Sequence, residues 1–440
     1  MRIQEYNSQK AEAAARRPRE VLGYHRRMSA GQQRGWSVRS IVGLCVLVFA
    51  QSFTIGAYPA IVPDMARAVG LTDWQLGTVA GMLGFSRLVA ALPIGLVIGR
   101  HLRLAVTTAP FLLVAAVLSL ASGWSFAVLA LARLAMGLAH ALVMIGGLTA
   151  VLRYHPSATV GAALNAFEFS AMLGMLGGVT VTGLLPATLA WNRVYLMACS
   201  PLLLALAVLP FLRRVLPAAD EPVARRSGRV STTAVGGARA GVTPILVMAF
   251  ATGSALSTTY STLEQFTVPL RATGEFGLAR AGVARLFMTM QLCDIALLLP
   301  MALIVDRFPK SRVLGVVALV LATGTVLLAF GDLTLMHVGA VVTGMGMAGW
   351  MLPLGVLREA TPRERIPFRT ALYRVGVDGG IFLGPFLSGL IGRGHLGVLP
   401  TLTASALSII GIRLLLAGPC RAGQPVRPLV LTGGSSSEQP

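Results

Sequence analysis

The sequence predicts an all-α polytopic membrane protein, twelve transmembrane helices arranged as two pseudo-symmetric six-helix bundles. Three observations carry that prediction. Of the 440 residues, 55% are hydrophobic and only 12% charged, with a mean hydropathy of +0.73, a composition that needs lipid as its solvent. Twelve apolar runs of roughly the 17 to 25 residues that span a bilayer follow one another along the chain. Distant segments also repeat at an offset of 206 to 207 residues.

The runs occupy residues 40–63, 75–99, 104–122, 126–152, 160–185, 194–212, 244–268, 283–305, 313–330, 336–357, 367–391 and 398–416. The first six form a bundle over 40–212 and the last six a bundle over 244–417. Between them, 213–243 is rich in Arg, Gly, Ser and Ala, the composition of a flexible linker. Residues 1–39 and 418–440 read as polar cytoplasmic tails. The first of these has no apolar core followed by small residues, so it is not read as a cleavable secretory signal. Cys45, Cys199, Cys293 and Cys420 include no CxxC or His-spaced pair, so neither a metal site nor a disulfide framework is expected.

The net charge of +20 does not point to nucleic acid, because the basic residues are scattered between apolar runs instead of gathered on one face. Topology accounts for them. With the N-terminal tail inside, and with Arg285, Arg369 and Arg413 near span ends counted to the adjoining side, the tails and even-to-odd connections hold 28 Lys and Arg, the opposite loops six, and the spans three. The positive-inside rule then places both termini in the cytoplasm.

The repeat is specific. An offset of 206 sets Gly174, Gly178 and Gly183 under Gly380, Gly384 and Gly389, and Glu168 under Arg374; Val179 stands under Pro385. An offset of 207 aligns PIGLVIGRHLR at 93–103 with PMALIVDRFPK at 300–310, and Arg87 with Asp294. Duplication on this scale in an apolar chain marks a transporter built of two halves. The glycines allow a neighbouring backbone to approach, and Pro385 permits a bend.

Ionisable side chains inside spans are costly and mark functional sites by default. Away from the span ends they are Arg87, Arg133, His140, Glu168, Glu264, Asp294, Arg374 and Asp378, joined by Gln51 and Gln291. Arg133 and His140 are two turns apart and share a face, and Arg374 and Asp378 stand at i, i+4, where they can pair within one helix. Tyr58, Trp350 and Tyr373 are candidate walls of a substrate cavity, together with Gln51, His140, Glu264 and Gln291. Glu264 lies five residues before Pro269 near the outer end of its span, suited equally to a rim or a gate.

Two six-helix halves, a basic linker and a basic turn after the second helix of each half resemble the major facilitator superfamily over about residues 40–416. The family's G-x-L-A-D-R-x-G-R-R turn is represented by Gly95 to Arg103, with Arg100 retained and Gly99 in place of the acid. The second copy keeps Asp306 and Arg307. Arg133 followed by Gly137 is similar to the family's fourth-helix arginine, and Gly174, Gly178 and Gly183 match part of the glycine run of exporters and antiporters. Trp191 and Arg193 resemble its W-R turn.

The resemblance implies that the second helix packs on the eleventh and the fifth on the eighth at the junction of the halves. Arg87 is 13 residues from Arg100 and Asp378 is 13 from Arg365, so those two are expected at one depth, within pairing reach. Glu168 and Asp294 are expected to approach each other. Two carboxylates together in low dielectric do not both ionise easily, so they are natural holders of a shared proton, with Arg374 as the competing counter-charge.

The expected function is proton-coupled export of a small organic compound by alternating access, as a monomer in a bacterial inner membrane. Import of a small metabolite and a non-transporting scaffold or sensor are the alternatives. No phosphate-binding loop, zinc-spaced cluster or serine elbow is present, so neither an enzyme activity nor a cofactor is expected.

Overall fold

A computed structural model of the chain describes residues 38–155, 159–216, 244–359, 361 and 365–416. The readings made for the two tails, apart from residues 38 and 39, and for nearly all of the linker concern residues outside these.

Among the described residues the helices compose twelve crossings. The first is α1 (Val38–Gly56) continued by α2 (Tyr58–Val69). The second and third form one run, α3 (Asp73–Ser122), bent at His101, whose backbone leaves the helical region (φ −133°, ψ 42°). The fourth is α4 (Phe126–Tyr154), the fifth α5 (Val160–Leu184), and the sixth α6 (Trp191–Ala198) with α7 (Leu202–Val215). The seventh comprises α8 (Pro244–Thr262), a π-helical turn (Leu263–Thr267) and α9 (Val268–Gly274). Then follow α10 (Arg280–Arg307), α11 (Lys310–Phe330), α12 (Leu333–Met347) with α13 (Leu352–Glu359), α14 (Ile366–Ile391) and α15 (Val398–Leu416), crossings eight to twelve.

Among the described residues, ten segments are long and apolar enough to span a membrane by length and composition alone. The seventh crossing has a Ser- and Thr-rich face that is buried against other helices.

The turns at the end opposite the basic loops are set locally. Thr72 and Gln75 make a capping box that starts α3. The Ser125 and Asp332 side chains accept hydrogen bonds from the N–H groups of Val128 and Leu335 at the starts of α4 and α12. Gly70 and Gly123 end the preceding helices in the left-handed conformation, which a side chain disfavours.

The repeated glycines hold each half together in the same way. In the fifth helix, Gly174 and Gly178 face the carbonyls of Phe49 and Phe53 in the first; in the eleventh, Gly380 and Gly384 face those of Ser254 and Thr258 in the seventh. A Cβ at any of the four would enter its neighbour's backbone. The third glycine of each set reaches across to the other half, Gly183 against Ala284 of the eighth helix and Gly389 against Asp73 and Gly77 of the second.

The same end is closed by charge. Arg393 Nε lies 2.6 Å from Asp73, whose carboxylate also accepts the Arg393 backbone N–H at 2.8 Å. Arg280 reaches Asp64 at 3.3 Å and donates to the carbonyls of Pro186 and Leu189. The Pro385 carbonyl lies against Gly77, so the proline of the eleventh helix sits at this contact.

Candidate functional site

Midway along the seam, Arg87 Nη2 and Asp378 Oδ1 meet at 2.8 Å, with side chains 22% and 7% exposed. Arg87 is fourteen residues in from Asp73 and Asp378 thirteen in from Ile391, so antiparallel neighbours bring them to one level. Asp378 therefore turns to the other half and not to Arg374 in its own helix. Glu168 lies within electrostatic reach of Arg374 and Arg87. Two cations and two acids from the second, fifth and eleventh helices thus form one layer.

The expected meeting of Glu168 and Asp294 is not what this arrangement contains. Glu168 is eight residues in from Val160, whereas Asp294 is thirteen in from Arg307 at the same end of the bundle. At 1.5 Å per residue that is an axial difference of about 7.5 Å. Asp294 instead lines a small cavity with Glu264, Tyr260 and Gln291, closed from the first half by Gly56, Met175 and Val179. Glu264 is buried there, 5% exposed, and its Oε1 accepts a 2.7 Å hydrogen bond from the Tyr260 hydroxyl, so it is not part of a solvated rim.

A second cross-half contact lies further toward the sealed end. The Arg133 guanidinium is buried over the Tyr58 ring, 3.7 Å from its centroid. Its Nη2 donates to Gln265 Oε1 at 2.9 Å and to the Ala80 carbonyl at 3.4 Å. Two turns along the fourth helix, His140 Nδ1 lies 3.4 Å from Gln51 Nε2.

The π-helical turn decides which side chains the seventh helix presents. Pro269 has no N–H, and its ring crowds the carbonyl four residues back, that of Gln265. The Val268 N–H bonds to Leu263, five residues back, and the chain takes up one extra residue there. Glu264 then faces the cavity and Gln265 faces Arg133. Sequence reasoning missed Gln265 and Tyr260; a polar pair just before Pro269 was the available signal.

Other predicted residues fall elsewhere. Trp350 stands edge-on to Tyr260 with ring centroids 6.0 Å apart, while Tyr373 is buried within the second half against Phe250 and Gly253. Gly95 is helical, and a Cβ there would meet open space. Asp306 and Arg307 end the eighth helix, both exposed. The side chain of Arg100 lies outside the described residues.

Known proteins resemble this chain in sequence and in fold. A 355-residue stretch is 23% identical to a protein of Helicobacter acinonychis (strain Sheeba) named as a probable sugar efflux transporter, covering 77% of this chain and 85% of that one. A mutant form of the nucleoside transporter NupG superposes with a TM-score of 0.69 at 14% identity, over 86% of this chain and 99% of its own. A bacterial homolog of the human lysosomal transporter Spinster, solved inward-facing and unoccupied, does so at 0.64 and 14%, over 86% and 92%. At these identities the two structures speak for the fold alone. The sequence profile of the Major Facilitator Superfamily matches residues 44–271 and again 245–432. With both halves matched and the two bundles joined along paired helices, the chain belongs to the major facilitator superfamily.

Proposed function

We propose that this protein is a proton-coupled exporter of a small organic compound, working by alternating access as a monomer in a bacterial inner membrane. The observation that carries the reading is the Arg87–Asp378 pair, 2.8 Å across the seam beside Glu168 and Arg374. Rocking the halves apart at this level separates buried opposite charges, which is costly while both are ionised. A proton on Asp378 removes most of that cost. Proton binding thereby biases the two-state equilibrium, and Glu168 and Asp294 are further carboxylates able to take part.

The concentration of Lys and Arg at one end supports cytoplasmic termini. With that orientation, the contacts between Asp73 and Arg393 and between Asp64 and Arg280 close the outer side, an inward-facing arrangement. Export over import is supported by the efflux named for the Helicobacter relative and by the partial glycine run of the fifth helix.

The test is proton flux in proteoliposomes under an imposed pH gradient with candidate solutes inside. Asp378→Asn, Glu168→Gln and Asp294→Asn are compared with the parent. Coupled flux lost in Asp378→Asn supports the reading, and flux unchanged in all three variants refutes it.

A further inference from the structure

Four buried side chains of the first half hold polar atoms without a hydrogen-bond partner in the structure. Gln51 and Tyr58 are 1% exposed, Arg133 1% and His140 3%. The unpartnered atoms are Gln51 Oε1, Tyr58 Oη, Arg133 Nε and Nη1, and His140 Nε2. They form two rungs between the first and fourth helices, Gln51 with His140 and Tyr58 with Arg133. Buried polar groups are almost always satisfied, and each exception calls for an explanation.

The rungs are seven residues apart on both helices, a rise of about 10 Å, the length of roughly two sugar rings. Both lie against the seam. Arg133 touches Gln265 of the other half, and His140 is within electrostatic reach of Arg87, which pairs with Asp378.

The chemistry selects among ligands. With the Gln51 amide donating to His140 Nδ1, the free atoms are an acceptor (Gln51 Oε1), three donors (Arg133 Nε and Nη1, and His140 Nε2) and one group able to play either part (the Tyr58 hydroxyl), a mixture that complements alternating hydroxyls. No acid stands among the four, so nothing here recognises a cation. A bidentate carboxylate or phosphate needs two parallel N–H groups of the guanidinium. Either such edge includes Nη2, and Nη2 is already bonded to Gln265 and Ala80. Arg133 offers single, separate donors instead.

We infer that Gln51, Tyr58, Arg133 and His140 form a binding stripe for a neutral, polyhydroxylated compound of mono- to disaccharide size. This rests on the reading of the chain as a carrier and narrows its substrate. The ligand takes up the unpartnered atoms when the first and seventh helices part, and the Tyr58 ring under the guanidinium becomes a face for the apolar side of a sugar ring.

The experiment is a binding titration of the full chain, purified in detergent and followed by melting temperature and calorimetry. The probes are a panel of neutral mono- and disaccharides and polyols, with gluconate as the anionic and glucosamine as the cationic control. At least one neutral sugar should bind saturably, with both charged controls about 10-fold weaker or worse. Tyr58→Phe, which removes one oxygen, and Gln51→Ala should each weaken binding about 10-fold while leaving the unliganded melting temperature within a degree or two.

Three results overturn the inference: gluconate or glucosamine binding as tightly as the best neutral sugar; sugar binding indifferent to Tyr58→Phe and Gln51→Ala; or silence across the whole neutral panel at tens of millimolar. Proton flux coupled to some other solute, with sugars silent, sinks this inference and leaves the carrier reading standing. Sugar binding with no proton flux does the reverse.

Discussion

Arg87 of the second helix and Asp378 of the eleventh form an ion pair 2.8 Å long that ties the two halves together midway along the seam. Both groups are largely withdrawn from solvent, so the pair matters mainly through what happens when one member is removed. An unpaired buried charge costs several kcal/mol, whereas a neutral pair of similar shape is tolerated.

Asp378→Asn should therefore destabilise the protein by about 3 kcal/mol, the lower end for a buried pair because Arg87 keeps 22% of its side-chain exposure. The double variant Arg87→Gln with Asp378→Asn should regain most of that stability without regaining transport. Thermal unfolding in detergent measures the first and vesicle uptake the second; a double variant as unstable as the single one would contradict the assignment.

The glycine contacts make a sharper structural prediction. A Cβ at Gly380 meets the Ser254 carbonyl at 2.8 Å and crowds the Ser257 hydroxyl, so the backbone of the seventh helix must shift to admit it. Gly380→Ala should cost about 1 to 3 kcal/mol, and Gly178→Ala, against the Phe53 carbonyl, a similar amount. Gly95→Ala meets nothing and should stay within about 0.5 kcal/mol. Melting temperatures of the three variants, side by side, decide it.

The closed end should yield to two kinds of change by different amounts. Asp73 and Arg393 are 32% and 43% exposed, so their pair contributes at most about 1 kcal/mol and Asp73→Ala should shift the open-to-closed balance no more than about fivefold. Gly77→Leu would place a side chain into the Pro385 carbonyl and Gly389, and should abolish closure at this end. Spin-label distances between the tips of the second and eleventh helices report both shifts.

Pro269→Ala tests the π-helical turn. Restoring the N–H allows an α-helical bond to residue 265, the extra residue is expelled, and Gln265 rotates by about 100° away from Arg133. Transport should fall about 10-fold or more while the melting temperature holds or rises. An unchanged transport rate would show that the turn has no part in the cycle.

Much of the site's vertical order was legible in the sequence because it depends on counting. Arg87 and Asp378 lie equally far along antiparallel helices, and any close packing of those helices brings them level. By the same count Glu168 and Asp294 stand at different levels, offset by about 7.5 Å along the axis from the shared end. The Gln265 contact was hidden for another reason. One inserted residue changes the phase of everything in that stretch, and only Pro269 hinted at it.

Hydropathy, glycine spacing and arginine placement by themselves determined the helical class, the twelve crossings and the correspondence between halves. These are properties of short stretches, dictated by the need to satisfy backbone groups in lipid and to let helices approach. Tertiary structure alone decided that Asp378 pairs with Arg87 and not with Arg374 of its own helix, that Arg133 bonds across to Gln265, and that Asp294 sits with Glu264. Partner choice depends on the rotation and axial offset of whole helices, where a step of one residue turns a side chain through about 100°, and no local pattern specifies those two quantities.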